Sequence, residues 1–215
     1  MHFALLSLVL ACGGGSTIEV VTESHANGTV LAQTSMRHGV PHGESIERYP
    51  SGQLFRRTAF VDGVEEGLRE EWFLDGTQAS RGAFVKGVQD GVWTFWHENG
   101  AKKAESTFHS GTEMGIRSTW YASGQQESQS EVTDSLQHGE RVFWHENGQI
   151  RAQAYFDRNA KVGPEQEFDA AGLWTKTTCY LGDEPGRVWT AAAGDAQPPW
   201  TMDVCGEAAS APAGG

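Results

Sequence analysis

Residues 139–163 read GERVFWHENGQIRAQAYFDRNAKVG, and residues 91–115 read GVWTFWHENGAKKAESTFHSGTEMG. The two stretches keep Trp-His-Glu-Asn-Gly in the same place and close on a glycine, so they are copies of one unit. Working outward, glycines recur every 24 residues at Gly43, Gly67, Gly91, Gly115, Gly139 and Gly163, and again at Gly52, Gly76, Gly100, Gly124, Gly148 and Gly172. Between them run Trp72, Trp96, Trp120 and Trp144, with Arg48 and Phe168 in the outer rows, and then Phe60, Phe84, Phe108, Val132, Phe156 and Tyr180. A fixed period of this length is the signature of a repeat architecture. A half-row with Asn27-Gly28 and Met36 precedes it, so the array runs from 19 to 182.

Each row reads as a β-hairpin. Asp75-Gly76, Asn99-Gly100 and Asn147-Gly148 stand between apolar-bearing runs, where positive φ closes a tight turn. Side-chain parity selects the loop length. A two-residue loop would separate Trp96 from Phe108, whereas a three-residue loop, Glu98-Asn99-Gly100, puts Trp96, Lys102, Ala104, Ser106 and Phe108 on one face. The positions equivalent to Ala104 and Ser106 are small in other rows (Ser80 and Gly82, Ser128 and Ser130, Ala152 and Ala154), leaving room for an indole across the neighbouring strand. The expected repeat core is therefore Trp72, Trp96, Trp120 and Trp144 with Phe60, Phe84, Phe108 and Phe156. The expected fold is all-β: an elongated single-layer antiparallel sheet of stacked 24-residue hairpins.

The other face carries Tyr49, Phe73, His97, Tyr121 and His145 in one column, and Glu47, Glu71, Phe95, Thr119 and Phe143 in the next. Aromatics at regular strand spacing suit an extended partner, so Tyr49, Phe73, Phe95, Tyr121 and Phe143 form the expected binding face.

Residues 91–115 and 139–163 resemble the bacterial variant of the MORN (membrane occupation and recognition nexus) repeat, whose hallmark is a W-x-x-N-G turn, a following aromatic and a closing G-x-x-x-G. The resemblance implies stacked hairpins and no shared catalytic residue. Chains of this type are often labelled antitoxin components, and other MORN proteins are scaffolds or membrane-proximal organisers. Row one departs with Arg48 for Trp, and row six with Phe168 and Pro164, as terminal units of a repeat do.

Composition agrees with turn-linked aromatic strands: 27 Gly and 8 Trp stand against 7 Pro and 4 Met. Sixteen Lys and Arg against 28 Asp and Glu give a net charge of −12, which disfavours nucleic acid and an anionic lipid surface.

The first residues carry a cellular address. Phe3 to Ala11 is an apolar run too short to span a bilayer but suited to a secretory signal. It ends Val9-Leu10-Ala11-Cys12, which resembles the lipobox of bacterial lipoproteins and implies cleavage before Cys12 and lipid on it; the n-region departs, with only Met1-His2. The expected organisation is a signal peptide over 1–11, lipidated Cys12 and a Gly-rich tether over 12–18, the array over 19–182, an irregular cap over 183–205 and a disordered tail over 206–215. Cys179 and Cys205 bracket the cap and pair without a remainder if lipid consumes Cys12.

No chemistry-bearing motif stands out. His97 and His145 lie in one column two rows apart, about 19 Å by strand spacing, so they share no metal. His42 and His138 fall in the inter-row loop. The paired carboxylates Glu65-Glu66, Glu70-Glu71 and Asp183-Glu184 read as solvating charge. The reading is a non-enzyme with no cofactor: an envelope-anchored lipoprotein, outer membrane rather than inner, that binds a protein, or a glycan, through its sheet and touches membrane only through Cys12. The alternatives are an antitoxin masking a basic toxin, and below it a hydrolase of envelope polymers.

Overall fold

The computed structural model describes residues 6–10, 17–181, 184–190, 196–198, 200–201 and 205. It divides into two units, residues 1–112 and 113–215. The first holds β1 (Leu6–Leu10), β2 (Ile18–Ser24), β3 (Val30–Arg37), β4 (Val40–Arg48), β5 (Leu54–Val61), β6 (Val64–Trp72), β7 (Gln78–Val85), β8 (Val88–Trp96) and β9 (Lys102–His109). The second holds β10 (Thr112–Trp120, whose first residue closes the first unit), β11 (Gln126–Thr133), β12 (Leu136–Trp144), β13 (Ile150–Asp157), β14 (Ala160–Phe168), β15 (Trp174–Leu181) and β16 (Glu184–Thr190). Within each unit the strands pair antiparallel in chain order. The all-β hairpin reading holds. Cys12 and the tail over 206–215 lie outside the described residues.

The turns take the three-residue form. In the row of Trp96, the His97 amide donates to the Ala101 carbonyl at 2.9 Å and the Gly100 amide to the His97 carbonyl at 2.9 Å. Gly100, at φ 84°, is the left-handed bulge residue that lets the right-handed strands meet. Asn99 Oδ1 accepts from the Ala101 amide at 3.0 Å, so the Asn of the turn serves its own backbone.

The face assignment differs from the sequence expectation by one residue. Trp96 lies opposite Lys102, but the next pair is Phe95 and Ala104, so Lys103 is an extra residue in the ladder. The same shift falls at Glu47/Arg48, Glu71/Trp72, Thr119/Trp120 and Phe143/Trp144. One slipped residue exchanges the faces. The small residues therefore share their face with Trp93 and Phe95, while Trp72, Trp96, Trp120 and Trp144 stand half-buried on the opposite one.

Gly82 shows what the small residues are for. A Cβ there would sit 2.1 Å from Cδ2 of Trp93, so the indole lies flat across the glycine. Trp93 is 3% exposed, meets Phe84 edge to face at 5.3 Å and donates Nε1–H to the Ala83 carbonyl at 3.2 Å. An indole does cross the neighbouring strand, but it is Trp93 and not Trp96.

The inter-row connections are two-residue turns placed earlier than expected. Lys86 (φ 52°) and Gly87 (φ 81°) join β7 to β8, and Gly91, the expected loop glycine, sits inside β8 where the β7 register jumps from Ala83 opposite Asp90 to Arg81 opposite Thr94. A positive-φ glycine signals a bulge as readily as a turn. Each turn amide reaches back one row: Gly63 to the Pro41 carbonyl at 2.7 Å, Gly87 to Glu65 at 3.0 Å and Gly111 to Gln89 at 2.8 Å. In the second unit Ser135 and Asn159 take the glycine position at φ 63° and 70°. Their side chains offset that cost by accepting from the Glu113 amide (3.1 Å) and the Gln137 amide (2.8 Å).

Both ends add strands. Leu6–Leu10 runs as β1 with Leu8 opposite Val20, and Glu184–Thr190, where the phase is lost, runs as β16 with Trp189 opposite Thr177. An open edge recruits backbone irrespective of repeat phase. Beyond β16, the Pro198 carbonyl accepts from Gln166 Nε2 at 2.7 Å, Gln197 Nε2 donates to Gln166 Oε1 at 2.9 Å, and Trp200 stacks on Tyr155 at 4.7 Å. Cys179 and Cys205 are bonded, with Cα atoms 5.5 Å apart.

Gly82→Ala forces the Trp93 indole off its seat, and the expected cost is about 1–3 kcal/mol of stability by urea denaturation. A fully stable variant contradicts the flat indole.

Candidate functional site

The hairpins present their side chains on open sheet faces, so the candidate site is a sheet face. Each unit has two, and the register fixes what lies on them. On the small-residue face of the first unit, Ser45, Thr58, Arg69, Gly82, Trp93 and Ser106 form a row across the strands. The long members lie over the short ones. Arg69 pairs with Glu65 and its guanidinium covers the Phe84 ring at 4.8 Å, so a single layer buries Thr58 to 3% without a second sheet. Beside this row run Glu47, Arg56, Glu71, Ser80, Phe95 and Ala104. Arg56 Nε donates to Glu71 Oε1 at 2.8 Å, and Ser80 Oγ donates to Glu71 Oε2 at 3.1 Å.

In the second unit the matching row is Arg117, Ser130, Arg141, Ala154, Glu165 and Thr178. Arg117 Nε donates to Glu113 Oε1 at 2.7 Å, and Lys161 Nζ donates to Glu165 Oε1 at 2.6 Å. The Tyr180 hydroxyl donates to Glu165 Oε2 at 3.0 Å; its pKa is raised by burial and by that carboxylate. Lys161, Glu165 and Tyr180, with Arg151, Lys176 and Phe168, line an open polar depression of about 500 Å³.

The expected binding residues are not set apart from the small residues. Phe95 and Phe143 stand on the small-residue face, opposite Ala104 and Ala152. Tyr49 and Tyr121 spend their hydroxyls on the carbonyls of Trp72 (2.9 Å) and Trp144 (2.8 Å) in the following row. His145 does the same with its ring nitrogen to the Phe168 carbonyl at 3.0 Å, and Asn147 Nδ2 donates to the Ala170 carbonyl at 2.6 Å. This column joins rows. Phe73 lines a shallow depression of about 290 Å³ with Leu74, Asp75 and Glu98.

The opposite face of the first unit holds what parity did not single out. Val61, Val64, Leu68, Val85, Val88 and Val92 are all exposed, the last 56%, in a phase that repeats from row to row. Beside them Arg57 joins Glu44 at 2.8 Å, and Arg57 and Arg81 flank Glu70 at 3.9 and 3.7 Å. In the second unit Gln197 and Pro198 cover part of that face; Gln166 beneath them and the neighbouring Thr177 are wholly buried. No sequence signal marks Gln166, a polar residue in a polar stretch.

His42 and His138 lie within β4 and β12, not in loops. His42 Nδ1 accepts from the Asp62 amide at 3.3 Å, and His138 stands 3.2 Å from Asp157. Asp62 also pairs with Arg37, which lowers its pKa. Glu66 caps the Lys86 amide at 2.7 Å, and Asp90 the Ser110 amide at 2.9 Å. Among the described residues no group of three or more His, Cys, Asp or Glu is arranged to hold a metal.

The MORN repeat variant family matches residues 89–110 and 137–158. No curated protein matches the chain. The two matched rows are those that carry His-Glu-Asn, whose His and Asn in the second row bond to the row that follows.

Replacing His145 by Ala leaves the Phe168 carbonyl without that partner. The expected loss is about 1 kcal/mol, with faster amide exchange in residues 168–174 by NMR. Unchanged exchange contradicts the row-joining role.

Proposed function

We propose that the chain is a non-catalytic binding or scaffold module, held at a cell envelope by lipid on Cys12, whose sheet engages a protein partner. MORN repeats are generally protein- or membrane-binding modules. The observation that carries the reading is the in-phase apolar strip of Val61, Val64, Leu68, Val85, Val88 and Val92, left open on a sheet whose neighbouring side chains are already paired. The recurring polar groups that could serve chemistry, such as Glu66, Asp90, Tyr121 and His145, are spent on turn amides and row carbonyls. That use supports binding over turnover.

Lipidation adds a structural consequence. Cleavage before Cys12 removes β1 and frees the edge of β2, with the tether following directly. Recovery from the native membrane fraction is expected to yield a chain lacking residues 1–11 and carrying a diacylglycerol-sized increment, absent in Cys12→Ser. An unprocessed soluble chain overturns the anchor and moves the search for a partner to the cytosol.

For the face itself, Leu68→Glu with Val92→Glu changes only exposed positions. The expected result is loss of the wild-type cross-linked partner at unchanged melting temperature. Retention of the same cross-link contradicts the apolar strip as the docking surface.

A further inference from the structure

Arg141 of the second unit departs from two equivalent arginines with a chemical consequence. Arg69 and Arg117 each pair with a glutamate four residues earlier, Glu65 and Glu113. Arg141 has Gln137 there instead, and donates to its Oε1 at 3.3 Å and to Ser128 Oγ at 3.3 Å. Both are long bonds to neutral acceptors. Arg141 Nε and Gln137 Nε2 are buried donors with no partner, and Gln137 is 6% exposed. The guanidinium charge therefore lacks the counter-ion that its counterparts possess.

A second guanidinium shares the same aromatic ring. Arg141 and Arg151 lie 4.4 and 5.1 Å from the centre of the Phe143 ring. Arg151 is exposed and lines the open depression of about 500 Å³, so a ligand reaches the pair from the Arg151 side. The facing charges are Arg117, held by Glu113, and Glu127, which reaches Arg141 only through space. Lys161 and Lys176 are committed to Glu165 and Glu167. Three guanidiniums thus meet two carboxylates. Arg141 is held below its ordinary pKa by burial, with Arg117 and Arg151 acting in the same sense and Glu127 against them.

We propose that Arg141 and Arg151, set against Phe143, form a receptor for a carboxylate presented by an acidic polypeptide segment. The planar forked guanidinium matches a carboxylate better than a spherical ion. The chain is strongly acidic as a whole, but at about 0.1 M salt charges beyond roughly 10 Å are screened, so the local cluster decides. This names the chemistry of one partner contact and rests on the binding-module reading, at a different unit and face from the apolar strip.

The test uses the full chain and fluorescein-labelled hexaglutamate, followed by anisotropy at about 0.1 M salt, with hexaglutamine as control. Gln137→Glu gives Arg141 the glutamate that Arg69 and Arg117 have and so supplies it with an internal carboxylate; Arg151→Gln changes an exposed residue. Each is expected to weaken hexaglutamate binding at least 5-fold, with melting temperature held or raised in Gln137→Glu. No binding by the wild type, or binding unchanged in both variants, overturns the proposal. Free glutamate binding as tightly as the peptide also overturns it, because the site then takes a small carboxylate. If hexaglutamate fails while Leu68→Glu/Val92→Glu still removes the cross-linked partner, this site falls and the module reading stands.

Discussion

In every described row, one surplus residue beside the three-residue turn sets where the side chains go. The shift at Phe95/Trp96 and its equivalents turns the small residues Ser80, Gly82, Ser106, Ser130 and Ala154 toward the long residues of the second strand. A single layer has no second sheet to bury its core, so it must cover one face with its own side chains. Trp93 over Gly82 and Arg69 over Phe84 are that cover. Slip the register by one and those same residues point to water, while the Trp ladder takes their place over the small residues.

Contacts between rows supply the second constraint. Turn amides reach back to the preceding row, and Tyr49, Tyr121 and His145 reach forward to the next. Each bond is worth only about 1 kcal/mol, but together they consume most of the polar side chains that recur in phase. The surfaces left for recognition are the in-phase apolar strip of the first unit, and Arg141 of the second, where the pattern lapses and Gln137 stands in the place of a glutamate.

Much of this was legible in the sequence, because period and turn chemistry are local. The glycine phase defined the rows, and Asn99-Gly100 with parity selected the three-residue turn that the Ala101 bond closes. The faces were not legible. A bulge at Lys103 leaves no mark in a lysine, and Gly91 reads as a loop glycine although it sits in a strand. Parity across a bulge inverts, so Trp96 took the seat that belongs to Trp93, and Phe95 and Phe143 went to the wrong side. Gln166 under Gln197 and Pro198 depends on a contact from residues far along the chain, which no local pattern encodes.

The register is best tested by the neighbours of the two indoles of β8. Nuclear Overhauser contacts measured on the full chain should link the Trp93 indole protons to the Gly82 Hα protons and the Phe84 ring, at the geometry where a Cβ on Gly82 would collide with the ring. Contacts instead from the Trp96 indole to Gly82 and Ala104 would contradict the shifted register, and with it the faces on which both recognition surfaces are placed.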